Sequence, residues 1–151
     1  MIKWVVLFLV INFGALFIGG LLMNNGPQTD WYTNLNQAPW TPPGWLFGVA
    51  WTSIMICFSI YMADLVIEKG FKNIAVAFGL QFVLNVIWNY IFFNIHLTGL
   101  ALLVIIFLTL VVFYFFYYYL NIEKLKSLLI LPYLFWLIIA TSLNFYIVIY
   151  N

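Results

Sequence analysis

Charge is nearly absent from this sequence: 6% of its 151 residues are charged, comprising five lysines, four acids and no arginine. An average soluble domain carries about 25% charged residues, because its surface must be wetted. Nine charged side chains cannot coat a globule of this length, which excludes a soluble domain and makes the bilayer the solvent. A net charge of +1 with no basic run excludes a nucleic-acid partner. The lone cysteine, Cys57, excludes an intramolecular disulfide framework and a Cys-based metal cluster. The lone histidine, His96, lies in a short break without a ligating neighbour and reads as a wetted loop residue rather than an axial haem ligand. The length fits a single domain, 1–151, with no second soluble module.

What fills the chain is apolar: 67% hydrophobic residues, 22% aromatic, and a mean hydropathy of +1.11. A spanning helix needs about 20 such residues. Five runs qualify: Trp4 to Met23, Trp45 to Ile67, Ile74 to Phe93, Thr98 to Leu120 and Leu128 to Tyr150. None alternates as a strand would, so the expected fold is an all-α membrane protein, a bundle of five transmembrane helices. Connections are short except the first, Asn24 to Gly44, which becomes a long ordered loop between helices 1 and 2. Lys3, Lys69, Lys72, Lys124 and Lys126 all fall on one side of such a bundle, which predicts a cytoplasmic N-terminus with the long loop and C-terminus outward. The first span is too long for a secretory signal and lacks a clean cleavage site, so it reads as a retained helix. Its Ala15 and Gly19 form a small-xxx-small step that permits close helix contact. The aromatic run Phe113 to Tyr119 reads as an interfacial belt.

Polar side chains at bilayer depth are costly and face the bundle interior or a cavity. Gln81, Asn85 and Asn89 recur at spacing four on the third span, with Trp88 bordering the stripe. Pro132, Trp136, Ala140 and Asn144 do the same on the fifth, with Thr141 alongside, and Pro132 is expected to kink that helix. Gly48, Trp51, Thr52 and Met55 share an arc of the second. Isolated amides glue helices together. Two amide stripes, each with a tryptophan, point further, to a site for a flat, mostly apolar ligand whose indole neighbours keep an N–H donor free.

The long loop holds Pro27, Pro39, Pro42 and Pro43, four of the five prolines, with Trp31, Trp40 and Trp45 in or beside it. Proline stiffens it and the aromatics give it something to bury, so it reads as a lid over the outer end of the bundle. Thr41-Pro42-Pro43 suits a helix start with Thr41 as N-cap. Asp30 reads as a turn residue, and Asp64 and Glu68 as a solvated helix end with snorkelling side chains. No nucleophile–base pair, metal cluster or phosphate loop is visible, so any catalysis must draw on the ligand's own reactivity.

Three motifs carry a resemblance. Trp31-Tyr32-x-x-Leu35-x-x-x-Pro39-Trp40-x-Pro42-Pro43-x-Trp45-x-x-Gly48-x-x-Trp51 resembles the loop and second helix of the TspO/MBR family, the bacterial tryptophan-rich sensory proteins and the mitochondrial translocator protein. Gln81-x-x-Leu84-Asn85-x-x-Trp88-x-x-Ile91-Phe92-Phe93 resembles its third helix, and Pro132-Tyr133-Leu134-x-Trp136-x-x-x-Ala140-Thr141-x-Leu143-Asn144 its fifth. The resemblance implies a multi-pass protein of the bacterial cell membrane, a homodimer among membrane lipid, acting as a receptor or sensor. Its ligands would be porphyrins such as protoporphyrin IX and isoquinoline carboxamide-type compounds. No cofactor or metal is implied, since a porphyrin would enter as ligand or substrate. By motif position, ligand contacts fall to Tyr32, Trp51, Asn85, Trp88, Trp136 and Ala140. The resemblance also implies an alternative, light- and oxygen-dependent porphyrin degradation with Trp51 and Trp136 as catalytic residues. A third reading is transport of porphyrin or lipid, although no internal repeat is visible. No basic residue follows Tyr146, so the sterol motif of mitochondrial members is not matched. The loop side has no lysine or arginine, and propionates are therefore expected at the cavity mouth.

Overall fold

Two of the long helices end where the backbone leaves the right-handed region. Asn24 and Asn25 (φ 48° and 58°) close the first helix, and Gly70 (φ 79°) separates the second and third long helices. Glycine and asparagine are the residues that take this conformation at least cost. The computed structural model describes residues 1–120 and 125–151. Its long helices are α1 Ile2–Met23, α3 Gly44–Lys69, α4 Phe71–Asn89, α5 Thr98–Tyr119 and α6 Leu131–Tyr150, and a one-turn helix, α2 Asp30–Thr33, sits in the long loop. A π turn, Tyr90–Asn94, extends α4, and a 3-10 stretch, Lys126–Ile130, leads into α6. All five long helices are apolar enough to cross a membrane, and among the described residues there is no strand. The fold is the expected all-helical membrane bundle.

Around the bundle the helices run in the order α1, α3, α6, α5, α4. Outward faces are as apolar as inward ones (Val10, Val76 and Phe107 are all exposed), which is the pattern of helices solvated by lipid. The core lies toward the lysine-bearing end, where Phe8 meets Phe78 edge-on at 5.0 Å and Phe58 meets Tyr133 at 5.3 Å. Two buried polar pairs clamp it: Asn12 Nδ2 donates to Ser59 Oγ (2.8 Å), and Gln81 Nε2 donates to the Tyr133 hydroxyl (2.8 Å). Trp4 stacks on Phe71 at 6.1 Å, which sets Lys3 at the same end as Lys69 and Lys72. Lys124 lies outside the described residues.

Four sequence expectations about helix ends need correction. Asp64 is not a solvated helix-end residue: it is buried, and Lys126 Nζ lies 3.4 Å from its Oδ1, because α3 turns that face toward the leading turn of α6. Glu68 is exposed, as expected. Thr41 is not an N-cap. Its Oγ1 donates to the Ala38 carbonyl (2.7 Å), and the helix waits until Gly44, because consecutive prolines hold the preceding residues out of helical conformation. Pro132 does not kink its helix but starts it, sitting in the first turn where its missing N–H costs nothing. Asp30 opens α2 instead of lying in a plain turn, with Thr29 as the cap. The small-xxx-small step is used inside the chain: Ala15 and Gly19 are buried, and a Cβ on Gly19 would come within 2.8 Å of Asn89 Nδ2. The aromatic belt is half a belt, since Tyr114, Tyr117 and Tyr118 point outward while Phe115 and Tyr119 turn into the core.

Candidate ligand-binding cavity

Above the two polar clamps the helices enclose a cavity of about 470 Å³, roofed by the long loop. Spacing explains who faces it. Leu16, Gly20 and Met23 recur along one face of α1, and Phe47 and Trp51 along one face of α3. Asn85, Trp88 and Asn89 come from α4, Ile105 and Leu108 from α5, and Trp136, Leu137 and Ala140 from α6. Tyr32, Gln37 and Pro42 are part of the roof. All six residues singled out from the sequence, Tyr32, Trp51, Asn85, Trp88, Trp136 and Ala140, line this one space. No charged side chain lines it among the described residues, nor do three potential metal ligands gather anywhere in them.

The other stripe residues serve the frame. Gln81 lies one turn deeper, bonded to Tyr133. Asn144 accepts from Trp88 Nε1 (3.2 Å) and donates to the Thr98 carbonyl (2.9 Å). The Trp88 indole N–H is therefore committed to holding its ring, not free for a ligand as the sequence suggested. Trp51 and Trp136 differ, having ring contacts only among the described residues: Trp51 on Tyr133 at 5.9 Å and Trp136 on Phe47 at 5.1 Å. Asn85 is the telling side chain. It is 6% exposed, faces the cavity, and its amide has no partner among the described residues, so its donor and acceptor are left to whatever fills that space. Burial raises the pKa of the Tyr32 phenol above its ordinary value, so it remains a neutral hydrogen-bonding group.

The roof is tied down on two sides. Over α4, Trp31 stacks flat on His96 (3.9 Å, 12°) and meets Phe92 edge-on at 5.7 Å, while Tyr32 packs on Phe93 at 5.3 Å. His96 is exposed as expected, but its role as a stacking plate for Trp31 was invisible in sequence, the two residues being far apart in the chain. Over α6, Trp40 Nε1 donates to Ser142 Oγ (3.1 Å), Asn36 N donates to Asn151 Oδ1 (2.8 Å), and Asn151 Nδ2 donates back to the Asn36 carbonyl (3.3 Å). Asn151→Ala removes both of the latter bonds. Exchange of the Asn36 amide is expected to accelerate roughly fivefold to tenfold, the equivalent of about 1 kcal/mol, as hydrogen-exchange mass spectrometry would read.

Residues 5–150 match the sequence profile of the TspO/MBR family. The chain belongs to that family. It is 36% identical to the tryptophan-rich protein TspO of Archaeoglobus fulgidus over 89% of this chain and 88% of that one. It is 30% identical to the tryptophan-rich sensory protein of Cereibacter sphaeroides (87% and 88% covered) and to the translocator protein of Homo sapiens (85% and 79%). Family membership and the five apolar spans together make it an integral multi-pass membrane protein. The wall residues that sequence reasoning missed, among them Leu16, Phe47, Phe93 and Ile105, are apolar residues in apolar helices. Nothing in such a sequence separates a cavity-facing side chain from a lipid-facing one.

Proposed function

We propose that this TspO/MBR protein is a membrane receptor or sensor that binds a flat, largely apolar small molecule in the roofed cavity. Porphyrins such as protoporphyrin IX and isoquinoline carboxamides are the ligand classes. The observation that carries the reading is the unpartnered Asn85 amide set in an aromatic enclosure without charge. An apolar pocket with a few convergent polar groups is how a small-molecule site orients its occupant. Because neither cavity nor roof offers a cation, propionates of a bound porphyrin sit at the mouth, in reach of water. The lysine-bearing end faces the cytoplasm and the roof faces outward. The functional unit is a homodimer, and the pairing face lies away from Ala15 and Gly19, which pack within the chain.

A second reading rests on Trp51 and Trp136 lining the same space with no hydrogen-bond partner among the described residues. Under light, with dioxygen as oxidant, a bound porphyrin would be degraded beside two oxidisable indoles. One experiment serves both readings. Protoporphyrin IX is titrated in the dark against purified protein, followed by tryptophan quenching, and the sample is then illuminated in air beside Trp51→Phe/Trp136→Phe. Saturable quenching supports the receptor, and its absence overturns it. Conversion faster or cleaner in the unsubstituted protein than in the double variant adds the photochemical activity. Equal bleaching removes it.

A further inference from the structure

The seam between α1 and α3 changes character along its length. At mid-height it is shut, where Asn12 and Ser59 are bonded at 2.8 Å and both are buried. Following each helix toward the roof along the same face, at steps of three and four residues, should keep one meeting the other. It does not. On α3 the face passes from buried Ser59 and Met55 to exposed Thr52, Gly48 and Gly44, and on α1 from buried Asn12 through half-buried Leu16 to exposed Gly20. The helices therefore splay above the Asn12–Ser59 clamp.

Glycine marks the gap. Gly20 and Gly44 line the cavity yet are exposed, and a Cβ added at either, or at Gly48, would meet no atom of the described residues within 4 Å. Phe17 and Trp45, one turn from Gly20 and Gly48, are both 69% exposed and so do not fill the gap. The roof, meanwhile, is pinned over α4 by Trp31 and His96 and over α6 by Trp40 and Asn151, away from this seam. With the roof pinned elsewhere, these exposed glycines leave the cavity an opening on this side, at its roof end.

We propose that ligands enter and leave sideways, from the acyl-chain region of the bilayer, through this glycine-framed slot between α1 and α3. The inference rests on the cavity being a small-molecule site, and it specifies the ligand class further as compounds dissolved in the membrane. Gly20 and Gly44 lie at the roof ends of their helices, so a flat apolar ring can slide in through the slot while its propionates trail at the interface in reach of water. The slot also lets the pinned roof stay in place during exchange.

Gly48 tests this, because it borders the slot without lining the cavity and has open space around it. Gly48→Phe and, as a control for added bulk on the neighbouring lipid face, Val49→Phe are reconstituted in phosphatidylcholine vesicles. Protoporphyrin IX pre-dissolved in a second vesicle population is the probe, and tryptophan quenching is followed in time. For Gly48→Phe, association and dissociation are both expected to slow about tenfold with the equilibrium constant unchanged, the signature of a narrowed passage. Val49→Phe should match the unsubstituted protein. Binding by Gly48→Phe at unchanged rates would overturn the slot while leaving the cavity reading standing. Absence of saturable binding by the unsubstituted protein would overturn both.

Discussion

Ala140→Phe is expected to weaken protoporphyrin IX binding by about a hundredfold or more, a loss of ~2.7 kcal/mol, while the protein stays folded. Ala140 is half-buried on the α6 face of the cavity, one turn beyond Trp136. A phenyl group there projects into the space that a flat ligand would fill. The walls cannot retreat to make room, because Trp88 is held by Asn144 and Trp136 is braced edge-on by Phe47. Close-packed interiors rearrange in steps and do not yield gradually. The same phenyl group occupies empty apolar volume, so thermal stability should hold or rise by about 1 kcal/mol. Titration in the dark and a melting curve on the same preparation separate the two effects. Undiminished binding with raised stability would place the ligand outside this cavity.

Gly26→Ala should do the opposite, damaging the fold first. Gly26 is buried where the chain leaves α1 for the roof, and a Cβ there would overlap the Cβ, Cγ and Cδ1 atoms of Phe93. A ring tip could swing aside, but the root of a side chain moves only with its backbone. Phe93 is also packed against Phe92 at 4.8 Å and Tyr32 at 5.3 Å. Overpacking of this kind costs about 1–3 kcal/mol, and here it should reach the upper end because the π turn itself must shift. Gly14→Ala provides the contrast. Gly14 lies mid-helix with nothing among the described residues near its Cβ position, so alanine there should stabilise α1 by about 0.5–1 kcal/mol. Thermal unfolding in one detergent reads both signs.

The long features of this protein were legible because the bilayer imposes them. Length, apolarity and the cost of an unpaired backbone in lipid determine five helices, and the structure ends most of them within about three residues of the expected limits. The amide stripes on α4 and α6 were legible for a related reason, since polarity at depth must be turned inward. What was hidden is how each polar group is spent. Asn85 and Gln81 share a stripe one turn apart, yet one faces the cavity and the other bonds Tyr133 across the core. Asp64 resembles a wetted helix end until Lys126 is brought to it from another part of the chain. Ala15 and Gly19 advertise a close contact without saying with whom, and at Gly19 the answer is Asn89 of the same chain. Long-range pairing decides these cases, and periodicity carries no record of it.

The π turn at Tyr90–Asn94 has a consequence for how this cavity can change through insertion and deletion. Ile95 N reaches back to the Tyr90 carbonyl at 3.1 Å, closing a turn that holds one residue more than an α turn. Chain length and helix phase are thereby uncoupled at this turn. Losing a single residue there would let the turn relax to an ordinary α pitch without disturbing α4 below it. The change would rotate Phe93 off the wall, pull Asn94 from the Leu22 carbonyl it now meets at 3.3 Å, and carry His96 out from under Trp31. A one-residue deletion between Asn89 and Thr98 would thus reset the height of the roof while leaving the floor of the cavity as it is.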